Sequence, residues 1–550
     1  MKKLMALVLT LLIALGGLSV VALAEDAKED VTLLMYSDVT NDSGNLDGLW
    51  WTDFLYDELK IHIELMPEDK TKMVAMIAAD SLPDVVIFEK GEHMNMAAEA
   101  GQLLDLAQFK DIMPHTQTDM LQTAMQYAAD VYGGGTQYFI PQNVGHSTGS
   151  LNYSVSTRWD LYKELGCPEI KDMWDYLNVL KEMQDKWPET EDGQKIYAIV
   201  NFPEWDGKSM GRADDFCRME GVFHNSFYQI ECDFHEEELG VTDALAPDSK
   251  YVEGLKWFFT ANQMGLLDPD SLTMTWGGYQ ERAAAGRMYF SYWDWGVSSY
   301  NTAERQAAGI GFRPVFPANY GAEYTGDDPI GGTWTWAIPK NSRYPERVAE
   351  YLDLMCDPDK LFILANGPEG VTFEMNADGL PEMTDFGKEI ALDSSIQIGS
   401  GGTLGDGLAL INAYPLQTGN FSEKYNSIIA RSYWETYEPQ LTALVADWAE
   451  YYGTTNYVKI ITEQCNGVAR PLAWALMTDS TDEDLVMISA AIGDVVKTQS
   501  WLAIFAADED EFNAIVTKMY DDCVALGLET LQEAGRETFE AAKATAEKYQ

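Results

Sequence analysis

Three features of the sequence predict an α/β protein of two lobes, crossed by the chain more than once and finished by a helix-rich last third. Strand-like and helix-like segments alternate from Val31 to Gly101, the pattern of a largely parallel sheet covered by helices. At 550 residues the chain exceeds what one hydrophobic core holds, yet no low-complexity linker divides it and the alternation resumes after each break. From Ser432 onward the apolar residues recur mostly at helical spacing.

Val31 to Tyr36 (VTLLMY) reads as the first strand and is followed by a polar loop. Trp50 to Lys60 has helical periodicity, and Ile61 to Leu65 alternates as a short strand. Asp69 to Asp80 is a helix stopped by Leu82-Pro83, and Asp84 leads into the apolar strand VVIF. Glu92 to Ala100 forms a further helix ending at Gly101. Gly133-Gly134-Gly135 marks a turn before a strand at Tyr138 to Pro141. No Lys-Ser/Thr pair follows these glycines, so they are not a phosphate cradle. Leu151 to Ser154 is strand-like, Arg158 to Leu165 is a short helix, and Asp172 caps the helix beginning MWDYL, with Asp175 at its third position. Tyr251 to Met264 is an amphipathic helix ended by Gly265. Ile310 to Val315 and Thr333 to Ile338 read as strands, and Pro345 to Met355 as a helix. Ser432 to Tyr452 and much of Asp482 to Lys548 complete the helical third.

The composition, 46% hydrophobic and 12% aromatic, is that of a folded chain. A formal net charge of −51 excludes nucleic acid and anionic membranes as partners, because both would be repelled, and describes a solvated acidic surface. Lys2 and Lys3, an apolar run from Leu4 to Val21, and Ala22-Leu23-Ala24 before Glu25 form an export signal cleaved after Ala24, with an uncleaved anchor as the alternative. No cysteine lies near that cleavage point, so nothing supports a lipid-modified terminus. The six cysteines show no CxxC pair, and their pairing stays open. Cys217, His224, Cys232 and His235 cluster, but at a spacing that fits no common zinc pattern, and no metal or cofactor is expected.

The stretch from Tyr279 to Gly296, YQERAAAGRMYFSYWDWG, combines a helix end, a glycine stop at Gly286, an aromatic strand from Met288 to Tyr292, and then Trp293-Asp294-Trp295. Two indoles around a carboxylate just past a strand end suit a sugar, whose ring faces are C–H patches and whose edge is hydroxyls.

The blocks of the chain, taken in order, add to this reading. They are SLPDVVIF after its helix, GQLLDLAQF, GGTQYFIPQN, RWDLYKELG, YVEGLKWFFTANQMGLLDPD, ERAAAGRMYFSYWDW, TWTWAIPKNSRYPERVAEYLDLMCDPD, GPEGVTFE and DEFNAIVTKMYDDCVALGLETLQEA. Across nearly the full chain this series resembles the extracellular solute-binding proteins (family 1) of carbohydrate-type ABC importers, in the LipO-like subgroup. The resemblance implies a two-lobed periplasmic-binding-protein-like fold with several hinge crossings and a ligand held in the interlobe cleft. It also implies a carbohydrate ligand, delivery to ABC permease subunits, a monomer at the outer cell surface, and no catalysis. By the family pattern residues 1–24 are the signal, 30–142 plus about 298–345 the first lobe, and 143–297 plus about 346–550 the second.

Three departures from the pattern stand out. The lipid-anchor cysteine is absent, Asp172 replaces the family's threonine cap, and the segment WPETEDGQKIYAI lacks the alternating acids and closing Glu of a calcium loop.

The family site lies at strand-end loops facing the cleft. The residues that match in type are Asp38 and Asn41 after the first strand, Glu89 after VVIF, and Gln142 at the crossing, alongside Trp293, Asp294 and Trp295. Trp205, the pair Trp334 and Trp336, and Phe373 extend the aromatic candidates, with Arg431 and Tyr433 behind them. Because side chains alternate along a strand, Trp334 and Trp336 face the cleft together or the core together. The competing readings are a secreted glycoside hydrolase, for which no stretch isolates a carboxylate pair, and a glycan-binding or sensor protein outside transport.

Overall fold

A computed structural model describes residues 28–38, 43–409, 414–438 and 441–549. The expected export signal and Asn41 lie outside these residues.

The first lobe is built on a six-stranded sheet in the order Gly44–Asn45, Ile61–Leu65, Val31–Ser37, Val85–Glu89, Trp334–Ala337 and Ile140–Pro141. Its centre is parallel, with Met35 opposite both Leu65 and Val85. Trp334–Ala337 then joins antiparallel, with Trp336 opposite Ile87. The apolar run VVIF has no polar face because both sides of its strand are covered. Val85 and Ile87 pack with one cluster, which includes Trp51 and Leu352, and Val86 and Phe88 with another, which includes Met73 and Met94. Asp69 caps the helix Lys70–Ala78 by accepting from the Lys72 N–H at 3.0 Å.

The second lobe is mostly helical. A three-stranded antiparallel sheet places Ser156–Arg158 between Phe290–Ser291 and Phe312–Pro314. Leu151 to Ser154 is therefore not a strand, and the strand expected from Met288 to Tyr292 shortens to two residues. The cap read at Asp172 is present: its carboxylate accepts from the Trp174 and Asp175 N–H groups, each at 2.9 Å. Gly286, at φ +68°, follows the helix Trp276–Ala284 as the left-handed stop expected there. The last third folds into the helices Glu483–Ile504, Glu509–Ala525 and Leu528–Tyr549.

Core packing divides the chain differently from the expected segments. Tyr300, Phe312, Phe316 and Ala322 pack in the second lobe's core, because Phe312–Pro314 pairs with Ser156–Arg158. Residues from Val348 to Ile398 and from Tyr414 to Trp434 pack with the first lobe, because the helix Pro345–Cys356 sets Tyr351 edge-on to Trp336 at 5.8 Å. The chain consequently crosses between Val144 and Tyr153, between Ala322 and Trp336, and between Trp434 and Leu444.

Two of these crossings run side by side. Gly145 and Asp328 exchange backbone hydrogen bonds of 2.7 and 3.0 Å, and Ser150 and Thr325 exchange bonds of 3.2 and 2.9 Å. His146 Nδ1 meets Asp327 Oδ2 at 2.9 Å across the pair. Gly145 sits at φ +95°, and a Cβ added there would lie 2.2 Å from the Met120 sulfur, so this tight crossing requires glycine.

Candidate functional site

In the first lobe, Asp38 and Glu89 stand at the carboxyl ends of neighbouring parallel strands, the edge where α/β sheets bind ligands. They hold each other in place: Asp38 N–H donates to the Ile87 carbonyl and Glu89 N–H to Asp38 Oδ2, both at 3.0 Å. Asp38 Oδ1 is buried without a hydrogen-bond partner. Lys70 Nζ lies 3.4 Å from Glu89 Oε2. A groove of about 470 Å³ runs over Asp38, Lys70, Thr71 and Glu89, lined by first-lobe residues. Beside it Lys90 reaches inward and donates to the Gly331 carbonyl at 2.8 Å, and burial pulls its ammonium down to about 8.

The second lobe presents aromatic rings. Trp205 and Trp295 are 44% and 47% exposed, with ring centres 6.2 Å apart and planes 29° from parallel. Behind them Trp293 is 3% exposed and stacks on Trp295 at 4.9 Å, while Trp276 lies 4.4 Å from Trp205. The Trp295 N–H donates to Asn152 Oδ1 at 3.0 Å. Exposed indole faces supported by the buried Trp293 and the half-buried Trp276 form a pre-set apolar surface that loses little freedom on binding a ligand.

Under this surface lies a buried charge. Arg212, 3% exposed, has its guanidinium 4.6 Å from the Trp293 ring centre and 4.7 Å from that of Phe202. Its Nε is 3.0 Å from Asp215 Oδ2 but misaligned, so both atoms lack hydrogen-bond partners. Burial pushes the Asp215 carboxyl up to about 6, against the pull of Arg212. Asp206 rises to about 6 for the same reason, although the Trp501 N–H donates to it.

The remaining expected residues separate into groups. Asp294 binds the protein itself: Tyr457 OH donates to its Oδ2 at 2.7 Å, Arg313 Nη1 lies 3.2 Å away, and Ser156 OH donates to Oδ1. Gln142 is buried at the first crossing, its backbone N–H donating to Trp334 O at 3.1 Å. Trp334 and Trp336 face the same way, toward the core. Trp336 is fully buried and Trp334 packs partly buried against the same cluster. Phe373 is also core, 5.3 Å from Phe362. Trp336 and Phe373 thus present no face to a ligand in this arrangement, since apolar strand residues next to long helices were claimed by packing. Trp293 likewise supports the aromatic surface from below. Tyr433 donates to the Thr148 carbonyl at 2.7 Å and so belongs to the crossings, two residues from the half-buried Arg431.

Trp276 and Arg212 were not among the sequence candidates. Trp276 had a signal, WGGY running into the stretch that begins at Tyr279, but Arg212 had none, because a lone Arg on a helix reads as solvent-facing. His224 pairs with Asp214 at 2.7 Å and His235 with Asp233 at 2.9 Å. Cys217 and Cys232 are buried, and all six cysteines are free thiols. Among the described residues no group of three His, Cys, Asp or Glu side chains is placed to hold a metal, and no helix is long and apolar enough to cross a membrane.

Two lobes joined by three crossings among the described residues, with strand-end carboxylates on one and exposed indoles on the other, suit a ligand-binding protein. A family model agrees: residues 67–360, more than half of the chain, match the bacterial extracellular solute-binding protein family, and the chain belongs to it. Solved structures share the fold. The Streptococcus pneumoniae ABC-transporter substrate-binding protein FusA in complex with kestose is 16% identical at a TM-score of 0.60, covering 94% of this chain and 100% of that one. An extracellular solute-binding protein from Bifidobacterium longum subsp. infantis is 13% identical at 0.58, covering 93% and 98%. The S. pneumoniae N-glycan transport protein NgtS is 13% identical at 0.54, with the same coverage. A search of curated protein sequences found no match.

Proposed function

We propose that this protein is the extracellular capture component of an ABC importer. In this reading it binds an oligosaccharide as a monomer between its lobes and passes it to permease subunits, and it has no catalytic role. The observation that carries the reading is the pair of exposed indoles, Trp205 and Trp295, each backed by a second tryptophan. Asp38 and Glu89 supply hydroxyl-accepting carboxylates from the other lobe. A ligand touching both lobes stabilises the shut form through contacts made only there. Kestose in the FusA complex and the glycan transport named for NgtS support a saccharide ligand in the same fold.

The test is a thermal-shift and tryptophan-emission screen against neutral oligosaccharides, kestose among them, with chromatography of each mixture. A raised melting temperature with changed emission and intact sugar supports capture. Released product indicates a hydrolase, and no response across the panel removes the saccharide reading.

A further inference from the structure

The C-terminal helix Leu528–Tyr549 belongs to the second lobe for most of its length, with Leu531 in the main core and Phe539 against Trp474. Its end does not stay there. Tyr549 is buried against Tyr127 of the first-lobe helix Asp119–Tyr132, with ring centres 5.3 Å apart and planes at 85°, and against Ile330 of the second crossing. The Tyr549 hydroxyl and the Lys548 ammonium both donate to Asp130 on the same first-lobe helix, the latter at 2.7 Å. Gln126 donates to the other Asp130 oxygen at 2.6 Å and fixes the carboxylate. Apart from Ile330, this contact joins the lobes outside the three crossings, and it contains none of the candidate ligand residues.

In the arrangement that this contact holds, neither lobe covers the candidate surface of the other. Trp205 and Trp295 are exposed, and the groove over Asp38 and Glu89 is lined from one lobe. A swing of one lobe against the other that displaces helix Asp119–Tyr132 relative to helix Leu528–Tyr549 opens this contact. An edge-on ring pair and two hydrogen bonds to one carboxylate do not survive such a displacement, because both interactions are short-ranged.

We propose that Tyr549, Lys548, Tyr127 and Asp130 form a latch that holds the lobes open, making Tyr549 and Lys548 positioning residues that set ligand affinity without touching ligand. A protein whose shut form is rare binds more weakly by the factor of that rarity, so loosening the latch tightens binding. The Lys548–Asp130 pair is solvent-exposed and contributes little alone, so the ring of Tyr549 carries most of the effect. Only the consequence for affinity rests on the capture reading. The effect on lobe orientation stands without it.

The experiment is single-molecule energy transfer between dyes placed through non-natural residues at Glu99 of the first lobe and Leu272 of the second, both exposed, in ligand-free full-length protein. In Tyr549→Ala the shut population rises roughly threefold to tenfold over wild type, the scale of one aromatic pair. Tyr127→Ala, acting from the other lobe, reproduces the rise. Tyr549→Phe, which keeps the ring, restores most of the wild-type distribution. Melting temperatures are measured alongside, since a merely structural role lowers them without moving the distribution. Tyr549→Ala and Tyr127→Ala distributions superimposable on wild type overturn the latch, as does a shift toward wider separation.

Discussion

Replacing Trp295 with alanine removes the most exposed ring of the aromatic surface. About half of its side chain is free for a ligand to cover. Taking ~200 Å² for a tryptophan and ~25 cal/mol per Å², covering that half contributes about 2.5 kcal/mol, or roughly 60-fold in Kd. The ring is held by a stack on Trp293 and one hydrogen bond to Asn152, so its loss costs the fold little. Isothermal titration with the oligosaccharide selected by the screen therefore shows weakening of a few tens-fold, with the ligand-free melting temperature nearly unchanged. Trp336→Phe is the control: its ring is fully buried in the first lobe, so it lowers the melting temperature and leaves Kd in place. Unchanged affinity in Trp295→Ala refutes the assignment of this surface to ligand binding.

Three further outcomes follow from the same geometry. Arg212→Met strands the Asp215 carboxylate in the core and lowers stability by ~3–5 kcal/mol in urea unfolding, whereas Arg212→Met with Asp215→Leu recovers most of it, because both charges are then gone. Asp206 and Asp215 have folded-state values near 6, above their ordinary value of 3.8. Between those limits the folded state binds more protons than the unfolded state, so their contribution to stability falls as pH rises through that window and is restored on acidification toward pH 4. Melting curves across the window show this slope, and Asp215→Asn flattens it. At the crossing, Gly145→Ala meets the Met120 sulfur at 2.2 Å and Asn420 Oδ1 at 2.6 Å from a positive φ, costing ~2–4 kcal/mol. Gly134→Ala, also at positive φ but with open space around it, costs only ~1–2 kcal/mol in the same unfolding assay.

The local structure was legible wherever one chemical signal dominates. The VVIF strand, the cap at Asp172 and the stop at Gly286 depend on nearest neighbours, and the sequence contains those neighbours. Lobe membership was not legible, because an amphipathic helix such as Pro345–Cys356 advertises an apolar face without saying which sheet it covers. The same limit divided the tryptophans. Trp295 and Trp293 are two residues apart, yet one is exposed and the other buried, a difference created by Trp276 from the preceding helix and by Trp205 and Arg212 arriving from a distant segment. Abundance of indole marked the right region, and tertiary packing decided which rings a ligand can reach.

In the proposed function, affinity arises when the lobes shut over the Trp205 and Trp295 rings. Small-angle scattering of the wild type and of Trp205→Ala/Trp295→Ala, each with and without a saturating oligosaccharide from the screen, tests it most directly. A radius of gyration that contracts on binding in the wild type, with no contraction in the double variant at the same sugar concentration, is the predicted result. Tight binding with unaltered scattering, or full contraction in the double variant, contradicts it.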